Sequence, residues 1–152
     1  MKRRKRGIGM NLTIVKEKLL KLGESIGLKV HEETAEQLVL DTHMTAKNYF
    51  SSSVYLRLVV YQSGTLHLFL TFNELAQTYE NLFAINAFNA ENPWFRAYIT
   101  NIHDRDYLEI HYTAVGLNHE NEAIDTFGFL LNELLNEPTM KYLKPILNGE
   151  AD

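Results

Sequence analysis

Apolar and polar residues alternate along the chain with two periods, and the change of period predicts the elements. The first segment has a helical period, and its apolar residues are Leu12, Val15, Leu19, Leu22 and Ile26. This spacing predicts an amphipathic helix over 12–26 with one narrow apolar stripe. Gly27 follows it, and we expect this glycine to end the helix in a left-handed conformation.

Helical spacing returns three more times. It covers residues 73–90, where Asn92-Pro93 marks the end, and residues 118–135, where Asn118 suits the N-cap position. Pro138 fits the first turn of a final helix over 138–147.

The segments between the helices have the β-branched and aromatic composition of strands. The predicted strands are 37–41, 54–61, 65–72, 94–102 and 107–115. Gly64 and the polar run 103–106 predict two hairpin turns. Residues 31–36 are ambiguous between strand and loop, and 43–53 resembles a loop.

These elements give the order α-β-β-β-α-β-β-α-α and predict an α+β fold. We expect an antiparallel sheet of about five strands with helices on one face. A single domain would span 11–148, between a flexible basic tail at 1–10 and a short acidic end at 149–152.

Alternation within the strands predicts two unlike sheet faces. One set of positions is almost purely apolar, so we expect it to meet the helices. The other set, called the mixed face below, combines aromatic rings with arginine, glutamate and histidine. Its residues are Tyr55, Arg57, Tyr61, His67, Phe69, Trp94, Arg96, Tyr98, Tyr107, Glu109 and His111. This composition is typical of a protein interface, and such a large patch is rarely left exposed without a reason. The alternative is a half-covered sheet shielded by the 41–53 loop, by the final helix or by nothing.

Charge is distributed very unevenly along the 152 residues. The formal net charge is −4, but Lys2 to Arg6 carries five positive charges. The chain from Asn11 to Asp152 holds 10 basic and 19 acidic residues, a net of −9. The basic run is interpreted as a neutral tail or as a short nucleic-acid-binding arm. The apolar stretch that follows it is too short for a secretory signal.

The candidate chemistry is sparse. The absence of cysteine excludes disulfides and thiolate metal sites and fits a cytoplasmic protein. No run of 18 apolar residues predicts a membrane span. A small-ligand or enzymatic pocket lined by His67, Arg96, Glu109 and His111 is one alternative, and a metal held by His67 and His111 is another. We predict neither: no catalytic residue, no metal and no cofactor is expected.

Two segments carry a family resemblance. NAFNAENPWFRAYI at 86–99 and YLEIHY at 107–112 resemble the YbjN-like proteins, whose members have been described as bacterial sensory-transduction regulators. The resemblance implies the fold shared with class I type III secretion chaperones. It also implies a cytoplasmic, non-enzymatic protein that dimerises and binds other polypeptides.

The sequence therefore predicts a non-enzymatic protein–protein interaction domain, acting as a homodimer. We expect it to bind a polypeptide partner through the aromatic sheet face or a sheet edge. A nucleic-acid-associated regulator that uses the basic tail is the first alternative, and a small-ligand or enzymatic pocket is the second.

Overall fold

The computed structural model describes residues 9–45, 53–134 and 137–147. The helices are α1 (Leu12–Leu22), α2 (Tyr79–Glu91), α3 (Glu120–Leu134), α4 (Glu137–Met140) and α5 (Lys144–Leu147), with a 3₁₀ turn at Glu24–Ile26. The strands are β1 (Lys29–Glu33), β2 (Gln37–Thr45), β3 (Ser53–Tyr61), β4 (Leu66–Glu74), β5 (Arg96–Ile102) and β6 (Arg105–Ala114).

The first helix begins at an asparagine and ends earlier than its apolar spacing predicts. The Asn11 side chain accepts hydrogen bonds from the backbone N–H groups of Thr13 and Ile14, at 3.0 and 3.2 Å. The α-helix stops at Leu22, and one 3₁₀ turn continues to Ile26. Gly27 then has a φ of 76°, which confirms the predicted left-handed residue.

The strands form one antiparallel sheet in the order β1-β2-β3-β4-β6-β5. The α+β class is confirmed, with six strands instead of about five. The additional strand is β1, and all five of its residues are exposed. Since an edge strand that buries nothing shows no apolar alternation, its sequence gave no strand pattern.

The helices lie against one face of this sheet. Val15 and Leu19 of α1, Phe88 of α2 and Phe127 of α3 belong to one buried cluster with the apolar strand positions. Those strand positions include Leu38, Leu40, Leu56, Leu58, Leu66, Leu68, Leu108 and Ile110. The predicted apolar face is therefore the one that packs on the helices.

Several boundaries differ from the predicted ones. Strand β2 continues to Thr45, into the predicted 41–53 loop, of which residues 46–52 lie outside the described chain. Helix α2 begins only at Tyr79, because Thr78 caps it by accepting the N–H of Asn81 at 3.2 Å. The final helix is two short helices.

Both predicted terminal segments fall largely outside the described residues, at 1–8 and 148–152. Within the described ranges, the helices are all too short or too polar to cross a bilayer.

Candidate functional site on the mixed face of the sheet

Strand register aligns one residue from each of five strands across the mixed face. Asp41 pairs with Arg57, Arg57 with Phe69, Phe69 with His111, and His111 with Arg96. Cross-strand partners have their Cβ atoms about 5 Å apart, so these side chains meet on one surface. Alternation thus brings together most of the residues that the sequence assigned to this face.

Stacked rings occupy the centre of the face. The Phe69 and His111 rings are parallel within 8°, with centroids 4.3 Å apart. His67 stacks on Phe69 at 5.8 Å, and Tyr61 meets His67 edge-on at 6.0 Å. Rings packed in these geometries stabilise one another beyond their buried area. The centre of the mixed face is therefore an ordered aromatic platform.

Two histidines and a threonine form a close polar triangle beside this platform. His67 Nδ1 lies 3.1 Å from His111 Nε2, and Thr113 Oγ1 lies 3.0 Å from each of these nitrogens. Burial lowers the pKa of His111, and the charge of His67 lowers it further, against the opposing effect of Glu109. Because two imidazolium ions this close repel each other, the pair favours a neutral His111.

Glu109 is engaged by hydroxyl groups on the same face. Its Oε2 accepts a hydrogen bond from Thr71 at 3.1 Å. Burial raises the pKa of Tyr98, and the neighbouring Glu109 carboxylate, hydrogen-bonded to that phenol, raises it further. The alternative acid–base group of His67, Arg96, Glu109 and His111 is thus divided into separate hydrogen-bonded sets.

Asp41 is a buried carboxylate of the mixed face that the sequence analysis did not single out. Its Oδ2 accepts the Tyr55 hydroxyl at 2.7 Å and lies 3.2 Å from His31 Nδ1, while the Lys29 ammonium is 3.4 Å from Oδ1. Burial raises the pKa of Asp41, but the Tyr55 hydrogen bond and the Lys29 charge outweigh it, so the pKa lies below its ordinary value. The sequence signal that could have identified Asp41 is an acidic residue within the predicted strand 37–41, at a position that alternation assigns to the mixed face.

Arg57 stands exposed between two grooves that are open to solvent. One groove of about 270 Å³ contains Val59, Tyr61 and His67, and the other, of about 280 Å³, contains Tyr55 and Glu109. Arg57 and Phe69 line both. Although Asp41 lies directly opposite, Arg57 forms no ion pair within 4.0 Å with a carboxylate of the described residues. The Arg57 guanidinium, whose side chain also interacts with the Tyr55 hydroxyl, is therefore exposed at the centre of the face without a carboxylate partner among the described residues.

Trp94 does not share this face, so that prediction is wrong. Strand β5 begins two residues later, at Arg96, and the Trp94 ring packs edge-on against Phe129 of α3, at 5.1 Å and 81°. Asn92 causes the offset, because its Oδ1 accepts the backbone N–H groups of Trp94 and Phe95 at 2.9 and 2.8 Å. These two bonds form a turn that places Trp94 on the helical side.

The remaining predicted residues lie on the face but differ in what they present. Arg96 is in register with His111, yet its Nη1 donates to the backbone oxygens of Asn92 and Phe95 at 3.1 and 2.9 Å. Tyr107 is half-buried near the end of β6, where it is in register with Glu74 of β4. Arg57, unlike Arg96, keeps its guanidinium away from backbone acceptors in the described chain.

Metal chemistry receives no support from these side chains. Among the residues described, no three of the histidine, aspartate and glutamate side chains are grouped so as to hold an ion.

Comparisons with known proteins give a match among solved structures. No protein-family model matches the chain, and a search of curated proteins finds no match either. A search of solved structures finds similarity to the crystal structure of YbjN, a proposed transcription regulator from E. coli. The TM-score is 0.53 at 14% identity, over 89% of this chain and 90% of that one. The chain therefore has a YbjN-like fold.

Proposed function

We propose that this protein is a non-enzymatic regulatory domain that forms a homodimer and binds a polypeptide partner through the mixed face. One observation carries the proposal: aromatic rings and an exposed arginine share a sheet face, while the helices bury their apolar residues on the other face. Tyrosine, tryptophan and arginine dominate the energetic centres of protein interfaces. Arg57 and Phe69 would form such a centre.

The arrangement of the polar groups favours binding over catalysis. His67 and His111 bond to each other and to Thr113, and Glu109 bonds to hydroxyl groups. A general base must lie within hydrogen-bond reach of the proton that it abstracts, and these nitrogen and carboxylate atoms are already hydrogen-bonded to neighbouring side chains. The two grooves are also open to solvent, with volumes of about 270 and 280 Å³, which suits side chains of a bound polypeptide.

Binding at the face is favoured over addition of a strand at a sheet edge. The β1 edge is short, charged and interrupted by a bulge between Val30 and Glu32, all of which oppose strand pairing. The β5 edge is occupied at Ala97, whose backbone N–H and C=O bond to the Asn89 side chain at 2.8 and 2.9 Å. Both edges are thus partly blocked to a seventh strand.

The regulatory part of the proposal comes from the fold. YbjN is described as a proposed transcription regulator, and the present chain shares its architecture. Regulation would act through protein contacts, because the chain from Asn11 onward carries a net charge of −9 and repels nucleic acid. The basic run Lys2 to Arg6, which could alter this balance, lies outside the described residues.

Mass in solution tests the homodimer. Light scattering during gel filtration is expected to give twice the 17.6 kDa chain mass for the wild type. Arg57→Glu reverses a charge at the centre of the face without touching the core, so it should shift the protein to monomer. Lys21→Glu, an equal change on the exposed side of α1, should leave the dimer intact. If the wild type is still a monomer at a protein concentration of about 100 μM, the homodimer proposal is wrong.

Peptide selection tests whether the mixed face also binds a polypeptide partner. A displayed peptide library panned against the wild type should yield binders that lose affinity for Arg57→Glu and for Phe69→Ala. The same binders should retain affinity for Lys21→Glu. Binders that do not distinguish these variants would contradict the assignment of the mixed face.

A further inference from the structure

A second concave site lies on the helical side of the molecule, away from the mixed face. It is a cavity of about 330 Å³, open to solvent, between the end of α2, the turn before β5, the end of α3 and the segment around α4. Its polar and aromatic wall residues include Glu91, Trp94, Glu133, Thr139, Lys141 and Tyr142. Trp94, which sequence alternation assigned to the wrong surface, forms part of this wall.

The tryptophan wall is held in place. The Asn92 side chain is buried, and its two hydrogen bonds to backbone N–H groups fix the turn that carries Trp94. Phe88 is buried beneath, and Phe129 packs edge-on against the indole. Trp94 nevertheless remains 44% exposed. A large aromatic surface is therefore preorganised at the cavity and still accessible to a ligand.

Two carboxylates face the same cavity without a cationic partner. Glu91 Oε2 accepts the Tyr142 hydroxyl at 3.0 Å, and Glu133 Oε1 accepts the Thr139 hydroxyl at 3.3 Å. Neither carboxylate lies within 4.0 Å of a basic group in the described part of the chain. These neutral hydroxyls hold the carboxylates in position without pairing their negative charge.

One cation already lies against an aromatic ring of this wall. The Lys141 ammonium is 4.9 Å from the centroid of the Tyr142 ring, within the range of a cation–π contact. The wall can therefore accommodate positive charge over a ring, next to the Glu91 carboxylate that Tyr142 binds.

We propose that this cavity binds an organic cation that carries N–H donors, namely a guanidinium or a primary ammonium group. The indole of Trp94 attracts a cation through its ring face, and the free oxygens of Glu91 and Glu133 accept charge-assisted hydrogen bonds. The cavity volume suits such a group and the methylene stem that carries it. The site is independent of the homodimer and of the mixed face.

Trp94 provides the measurement, because it is the single tryptophan of the chain. Its fluorescence is titrated at constant ionic strength with N-acetyl-arginine methylamide, which represents an arginine of a polypeptide, and with spermidine, which represents a free polyamine. The neutral isostere N-acetyl-citrulline methylamide is the control. Both cations should give a saturable change in Trp94 fluorescence, and the citrulline compound should give none. The cation that binds more tightly shows whether the ligand is an arginine of a polypeptide or a free polyamine.

Charge variants test the same site from the protein side. Glu91→Gln and Glu133→Gln each keep an acceptor for the neighbouring hydroxyl, so the wall is preserved while its charge is lost. Each should weaken cation binding roughly threefold, as expected for a partly exposed ion pair. Lys141→Met removes a competing positive charge and should strengthen binding. Asp125→Asn, the same change of charge on the exposed side of α3, should leave it unaltered.

Two results would overturn the proposal. One is an equal response to the arginine and citrulline compounds, since the cavity would then bind without recognising charge. The other is an equal loss of affinity in Asp125→Asn and in the doubly substituted Glu91→Gln, Glu133→Gln protein, since the attraction would then come from overall charge. Thermal unfolding of each variant verifies that the comparison is made between folded proteins.

Discussion

The two faces of the sheet are built from alternate residues of the same strands, but they are buried in different ways. Leu58 is fully buried in the cluster that the helices complete. Its neighbour Val59 is also buried, yet it lies on the mixed face, among Tyr61, His67 and Arg57 in a solvent-open groove. Low exposure of a strand residue is therefore insufficient to identify the core, because side chains of a polar face can surround an apolar floor.

The largest expected effect separates these two kinds of burial. Leu58→Ala should lower the free energy of unfolding by about 3 kcal/mol, since it leaves a cavity enclosed by helix and sheet. Val59→Ala should lower it by only about 1–2 kcal/mol, because two methyl groups are removed from a groove where neighbours and water can rearrange. Urea unfolding of both variants provides the measurement. Equal losses would mean that the mixed face is covered as deeply as the core.

An intermediate effect is expected at the buried acid of the mixed face. Asp41→Asn keeps an acceptor for the Tyr55 hydroxyl but removes the attraction to Lys29 and His31, so it should cost about 1 kcal/mol after solvent screening of the exposed partners. The pKa of Asp41 in the folded protein is below its ordinary value of 3.8. Its contribution is therefore present above pH 3.8 and is lost as the pH falls through the lower, folded-state pKa.

Unfolding of wild type and Asp41→Asn as a function of pH verifies this assignment. The difference between their stabilities should persist at neutral pH and shrink below pH 3.8. A difference that persists at the lowest pH would assign the cost of the substitution to packing instead of charge.

The smallest expected effect comes from the histidine pair. Burial and His67 lower the pKa of His111 below its ordinary 6.5, so the unfolded chain binds the proton more readily than the folded one. Stability should fall by a fraction of a kcal/mol as the pH decreases from 6.5 through the folded-state pKa. His111→Asn should flatten this decline in thermal melts.

His103→Asn is the matched control for the histidine pair. His103 lies in the exposed β5–β6 turn with a φ of 52°, a conformation that asparagine tolerates, so the substitution removes a histidine far from the platform. If both substitutions change the pH dependence equally, the effect does not arise from the His67–His111 contact.

Alternation along the strands was sufficient to predict the apolar face, the α+β class and most of the mixed face. Period-two patterns carry this information because successive strand side chains point to opposite faces. Strand β1 was not predicted because it has no buried face. Trp94 was assigned wrongly because alternation was extended back across a turn that the Asn92 side chain closes.

Long-range contacts produced what the sequence pattern could not predict. The ion pairs of Asp41 depend on its register with β1, and the Glu91–Tyr142 hydrogen bond joins residues 51 positions apart. The two elements that form the cation cavity, the turn before β5 and the α4 segment, have no local pattern that relates one to the other. Candidate sites of this kind become visible only when the chain is folded.

The Asn89 side chain affects whether the β5 edge can pair with a strand of another copy of the chain. Its amide occupies the outer side of β5 and satisfies both backbone groups of Ala97, in the place where the peptide of a neighbouring strand would lie. An open sheet edge can pair with a strand of another copy, and each added copy would present the same edge again. A single amide on α2 thus opposes strand addition at Ala97, the step by which copies of the chain would stack into a fibril.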